Sequence, residues 1–172
     1  NSAQLTRLIG IDRLVEEGLG SAVRAIADIP SVLVWSGLGS EHRWLTGTPI
    51  FDIASALLIL LGVYSYARGH HPLRARLLLG LTLFSVVLVG ASSFNAYTLL
   101  VPILYIVLAN GIAFLLQSWF TVFPKNPAAR SVGIVVLLVV ASFIVNYHVQ
   151  RYFEAWPNDP GTIRSLTPPE QE

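Results

Sequence analysis

Four stretches of the chain are apolar over nearly their whole length and carry almost no charge. The first, TPIFDIASALLILLGVYSYA over residues 48–67, has Asp52 as its only charge, close to its start. The second, LLLGLTLFSVVLVGAS, follows Arg76; the third, AYTLLVPILYIVLANGIAFLLQSWF, covers 96–120; the fourth, SVGIVVLLVVASFIVNYHVQ, covers 131–150 and is closed by Arg151. No charged residue occurs between Arg76 and Lys125, and SSFNAY is the only polar place there for the chain to turn. Each stretch reaches or approaches the roughly 20 residues that a helix needs to cross a hydrocarbon core about 30 Å thick. The pattern predicts an all-α integral membrane protein with four transmembrane helices, over 48–67, 73–92, 96–120 and 131–150 within a region 48–150. Helices buried in a soluble bundle would each show a polar stripe, and residues 131–147 show none.

The first 47 residues alternate differently. Leu5, Leu8, Ile9, Val15, Leu19, Val23 and Ile26 recur at helical spacing, with Arg7, Asp12, Arg13, Glu16, Glu17 and Arg24 on the other faces. This predicts an amphipathic helix, broken near Gly18–Gly20 and ended at Pro30. It is too polar to span, so it is expected to lie at the external membrane surface or against other helices. WSGLGSEHRWLTGTPIFD then loops down into the first span. Pro124 and Pro127 are expected to stop the third helix and Ser131 to cap the fourth. Residues 151–172, rich in proline and polar side chains, read as an irregular external tail.

Charge gives the pattern a direction. Only 12% of the residues are charged and 53% are hydrophobic, against roughly a quarter charged in soluble domains. Arg68, Arg74 and Arg76 lie between the first and second stretches, Lys125 and Arg130 between the third and fourth, and neither loop contains an acid. All 10 acidic residues fall in the remaining segments. The five cations are therefore read as topology anchors facing the cytoplasm, with both termini external and the chain in the cell membrane. Aromatic residues agree with two interfaces: Tyr64, Tyr66, Trp119, Phe120 and Phe123 toward the inner one, Trp44, Tyr97, Tyr147, Tyr152 and Trp156 toward the outer.

Candidate chemistry is sparse. The chain has no cysteine, which excludes disulfides, thiol nucleophiles and thiolate metal sites. It also has no methionine and begins with asparagine, so it is expected to be part of a longer or processed product. No phosphate-binding loop, dinucleotide fingerprint, HExxH or GxSxG occurs. His70 and His71, adjacent on a short turn, lack the further ligands a metal site needs, so no metal and no cofactor are expected. Asn110 is the most polar residue at membrane depth, a place where amides bond a neighbouring helix or, less often, a ligand. His42, Arg43 and Asp52 cluster at the external mouth of the first span, where they can cap the helix start or hold a lipid phosphate.

The order HRWLTGTPIFDIASALLILLGV resembles a motif of membrane glycosyltransferases in the GT-C superfamily, the relatives of protein mannosyltransferases and aminoarabinose transferases that use polyprenyl-phosphate sugars. The resemblance continues through FPKNPAARSVG and NYHVQRYFEAWPNDP and covers most of residues 35–160. It implies that His42 and Arg43 match the external loop near the lipid-phosphate site, with Gly47, Pro49 and Asp52 shaping the descent into the membrane. The chain departs from the family at Ala96, where many relatives carry arginine, and the family's catalytic acid lies upstream of anything present. The resemblance thus implies the C-terminal membrane module of such an enzyme, supplying scaffold and part of a lipid-linked sugar groove without being catalytic by itself. The alternative is a non-catalytic accessory subunit packed against a larger membrane complex. Expected partners are the bilayer, a polyprenyl-phosphate sugar and other membrane helices or subunits, with no nucleic acid.

Overall fold

A computed structural model of the chain describes residues 12–37, 48–69, 72–92, 97–160 and 163. Every element among them is helical: α1 (Asp12–Glu16), α2 (Leu19–Ser31) with a π-helical turn over Val32–Ser36, α3 (Ile53–Ala67), α4 (Pro72–Ala91), α5 (Tyr97–Val122) and α6 (Pro127–Gln150), which runs on through a π-helical turn at Arg151–Ala155. Three helices are long and apolar enough to cross a membrane: Pro72–Ala91, Tyr97–Val122 and Pro127–Ala155.

The first expected span is shorter than its apolar stretch. α3 begins at Ile53 and has 15 residues, about 22 Å at 1.5 Å per residue. Asp52 sets that start, since its Oδ1 accepts from Ser55 N at 3.0 Å and its Oδ2 from Ser55 Oγ at 2.6 Å, the geometry of an N-cap. Pro49 disfavours helix at the residue before it. Ile50 and Phe51, the apolar residues left outside the helix, are buried in irregular backbone, at 3% and 1% exposure.

Other boundaries shift for identifiable reasons. Pro30 does not end α2; it lies inside the helix, which carries on as the wider π turn to Ser36. A proline removes one N–H and crowds the carbonyl four residues back, and a π-bulge is a common adjustment to such a disturbance. Asn126, not Ser131, caps α6: its side chain accepts from Ala129 N at 3.1 Å, with Pro127 in the first helical position, where its fixed φ fits. Ser131 sits one turn inside and donates to Pro127 O. Pro127 thus opens α6, and α5 ends at Val122, before Pro124.

The chain divides into two compact units, Asn1–Ile29 with Ala56–Ser118, and Pro30–Ser55 with Trp119–Glu172. In the first, α3 and α5 meet backbone to backbone. A Cβ added at Gly62 would land on the Val107 carbonyl, and one at Gly111 on the Leu58 carbonyl. Only glycine permits that approach, which resembles the small-residue contacts by which membrane helices associate. Leu58, Leu100, Ile103, Val107 and Leu108 are buried around it, and Tyr64 meets Phe114 edge-on at 5.8 Å.

The same unit fixes the amphipathic segment. Arg13 in α1 donates from Nη1 to Val89 O at 2.9 Å, one of the last-turn carbonyls of α4 that have no partner within their helix. Ile26 of α2 lies over Gly90, whose added Cβ would come within 2.7 Å of Ile26 Cδ1. Leu19 and Val23 stay exposed, an apolar edge that the rest of the unit leaves uncovered.

In the second unit, Trp119 donates from Nε1 to Ala129 O at 2.8 Å and covers Gly133. Its ring also packs 4.9 Å from that of Phe123. No residue of α6 is buried, although its 18-residue core has a mean hydropathy of 2.4. Such a helix needs an apolar solvent on most of its faces.

Candidate functional site

Polar groups gather where the irregular segment 48–52 meets the end of α6. Thr48 and Pro49 have no helix to satisfy their carbonyls, and an unpaired carbonyl in apolar surroundings costs a large part of a hydrogen bond. Arg151 supplies the donors. Its Nη2 donates to Thr48 O at 3.0 Å and to Thr48 Oγ1 at 2.7 Å, and its Nη1 donates to Pro49 O. The side chain is 8% exposed, with its guanidinium 5.9 Å from the Tyr147 ring centre. A planar fork of donors suits several oxygens at once in a way that a single ammonium does not. Phe51 N bonds Leu33 O at 2.8 Å and ties the segment down from its other side.

One turn before Arg151, His148 Nε2 stands 3.8 Å from Asp52 Oδ2. That nitrogen is buried and has no hydrogen-bond partner. Asp52 is therefore shared: Ser55 holds both its oxygens at the α3 start, and the imidazole faces one of them.

Serine, aspartate and histidine together invite comparison with a hydrolytic triad, and the connectivity excludes one. Ser55 Oγ donates to Asp52 rather than to His148, so the imidazole does not address the hydroxyl as a Ser-His-Asp triad requires. Among the described residues no group of three or more His, Cys, Asp or Glu could hold a metal. The arrangement is a structural clasp with a carboxylate, an imidazole and a guanidinium in it.

Beside the clasp lies an open cavity of about 480 Å³, lined by Thr48, Tyr147, Gln150, Arg151, Glu154 and Ala155. Of the residues singled out in the sequence, Pro49 and Asp52 belong to the clasp, while His42, Arg43 and Gly47 lie outside the described residues. Asn110 serves the other unit, where its Nδ2 donates to Gly62 O at 3.3 Å and bridges α5 to α3. Arg68 packs on the Tyr64 ring at 5.0 Å and Arg130 on Phe120 at 4.4 Å. Arg74 and Arg76 lie in the first two turns of α4 rather than in a loop, Lys125 lies between α5 and α6, and all three are exposed. His70, His71 and Ala96 lie outside the described residues.

Comparison with protein families, with characterised proteins and with solved structures finds no match. The likeness to GT-C glycosyltransferases therefore rests on the sequence motifs alone.

Arg151, Thr48 and His148 are not legible as site residues in the sequence. Arg151 reads there as the charge that closes the fourth apolar stretch, and it grips the backbone carbonyls of Thr48 and Pro49, which leave no signature. The usable signal is its isolation: a lone arginine at a span end has carbonyls or phosphates as its natural partners.

Proposed function

We propose that the chain is the C-terminal membrane module of a glycosyltransferase-like protein, forming scaffold and part of the groove for a polyprenyl-phosphate sugar and contributing no catalytic group itself. It crosses the membrane four times, with α3 completed by the pinned segment 48–52, and α1 and α2 lie at the external surface. The basic ends of the helices on either side of the α3–α4 and α5–α6 connections, with Arg68, Arg74, Arg76, Lys125 and Arg130, face the cytoplasm and both termini lie outside the plasma membrane, in keeping with the absence of acids there.

The observation that carries this reading is the Arg151 clasp. It fixes the segment 48–52 to the end of a membrane-spanning helix, and a short stretch of chain joins Arg43 and His42 to that fixed point. Two cationic or polar side chains tethered at the outer surface suit the phosphate of a lipid carrier, because charge-assisted bonds to phosphate are strongest where water is scarce.

A photoactivatable polyprenyl phosphate in native membranes tests it. Crosslinks should map to residues 40–52 and fall severalfold in the His42→Ala, Arg43→Ala double variant. Crosslinks elsewhere, unchanged by that variant, would contradict the reading.

A second reading, an accessory subunit of a larger complex, is favoured by α6. That helix buries no residue of its own, so another protein could cover it as readily as lipid. Stoichiometric co-migration of the chain with other polypeptides in mild detergent would select this reading over the first.

A further inference from the structure

The lining of the cavity beside Arg151 carries groups of opposite sign. The buried Arg151, with Thr48, and the exposed Glu154 both border it. Among the described residues, the Glu154 carboxylate, the Gln150 amide and the Tyr147 hydroxyl have no hydrogen-bond partner. Residues 147, 150, 151 and 154 share one face of α6 and its terminal turn by helical spacing. A volume of about 480 Å³ falls in the roughly 300–1,000 Å³ range of small-molecule sites.

Depth and surroundings narrow the ligand. The cavity lies at the C-terminal end of a helix long and apolar enough to cross a membrane, at the level in the chain of Tyr152 and Trp156, which stack at 5.7 Å with their planes 6° apart. Aromatic residues of that kind mark headgroup level. Below it on the same side α6 leaves Val136, Val139 and Phe143 exposed, a surface along which acyl chains can lie.

Charge selects among headgroups. A purely anionic one would meet Glu154, and a purely cationic one would meet Arg151. A headgroup with both signs meets each charge with its opposite. Glu154 is an acceptor only, and the Gln150 amide supplies another acceptor oxygen, so an ammonium with N–H donors fits better than a quaternary one.

We infer that this cavity is a binding site for a zwitterionic aminophospholipid, with its phosphate on the Arg151 side and its primary ammonium hydrogen-bonded to Glu154 and Gln150. The inference needs α6 in the membrane and is independent of the glycosyltransferase reading.

Native mass spectrometry of the detergent-purified full chain, with phosphatidylethanolamine, phosphatidylcholine and phosphatidylglycerol titrated separately, tests it. Phosphatidylethanolamine should be retained about tenfold more tightly than either of the others, the worth of one charge-assisted bond. Glu154→Gln, an exposed position whose change leaves the fold intact by circular dichroism and size, should reduce that preference to the phosphatidylcholine level. Gln150→Ala should weaken it by a smaller factor. Equal retention of the three lipids, or a preference unaffected by Glu154→Gln, would overturn the assignment. Displacement by soluble phosphoethanolamine at the concentrations effective for the lipid would also overturn it, since the ligand would then come from water.

Discussion

Between α3 and α5 the chain approaches itself through glycine, at Gly62 and Gly111, with nothing but hydrogen between one backbone and the carbonyl of the other. At the end of α6 it does so through one of its longest side chains, the guanidinium of Arg151 gripping the oxygens of Thr48 and Pro49. The difference follows from what each backbone needs. In the seam both partners are helical, so their carbonyls already have donors, and close packing supplies the attraction where water gives no hydrophobic drive. In the clasp one partner is irregular, its carbonyls have no helix to serve them, and one charged fork reaches several of them at once. The seam tolerates no added atom, whereas the clasp tolerates no lost one.

The largest expected effect comes from filling the seam. Gly62→Leu or Gly111→Leu places a side chain onto a backbone carbonyl that cannot turn aside, and each should cost about 3 kcal/mol or more. Loss of the monodisperse peak in size-exclusion chromatography would register it, and a wild-type peak would show that the two helices do not meet at these glycines. Emptying the clasp is next. Arg151→Ala strips donors from Thr48 and Pro49; because both residues are partly exposed, water recovers some of the loss, leaving about 2 kcal/mol. Thermal unfolding in detergent measures this, and Arg151→Lys should recover less than half, since an ammonium lacks the fork.

Smaller changes sharpen the contrast. Asp52→Ala removes the α3 cap and the carboxylate opposite His148, for about 1 kcal/mol. Asn110→Leu removes one interhelical bond of 3.3 Å, for about 0.6 kcal/mol, and leaves the glycine seam standing. An Asn110 effect equal to that of Gly62→Leu would mean that a side chain, not backbone proximity, holds the seam.

Much of this architecture is legible in the apolar pattern. The absence of charge between Arg76 and Lys125 places the helices α4 and α5 to within a residue or two. Start positions are harder. Asp52, Asn126 and Ser131 are all residues that cap helices, and only Pro127 in the first helical position separates the true cap of α6 from the false one. Asn110 reads in the sequence as a bridge or a ligand group, and the bridge is what it makes. Gly62 and Gly111 do not stand out, because a glycine in a helix has the same letter whether it faces open space, as Gly80 does, or a neighbouring carbonyl. The clasp is half visible. Pro49 and Asp52 mark one side, while its other side depends on carbonyl oxygens that every residue carries.

The membrane placement itself is tested most directly by thiol labelling, since the native chain has no cysteine to interfere. Two single variants, Ala75→Cys in the first turn of α4 and Pro157→Cys beyond α6, stand at the two ends of the three expected crossings, an odd number, and replace neither a basic anchor nor a clasp residue. In intact cells a membrane-impermeant maleimide should label the Pro157→Cys variant directly and the Ala75→Cys variant only after permeabilisation. Equal labelling of both variants from outside would contradict the three spans, and labelling of the Ala75→Cys variant alone would reverse the orientation.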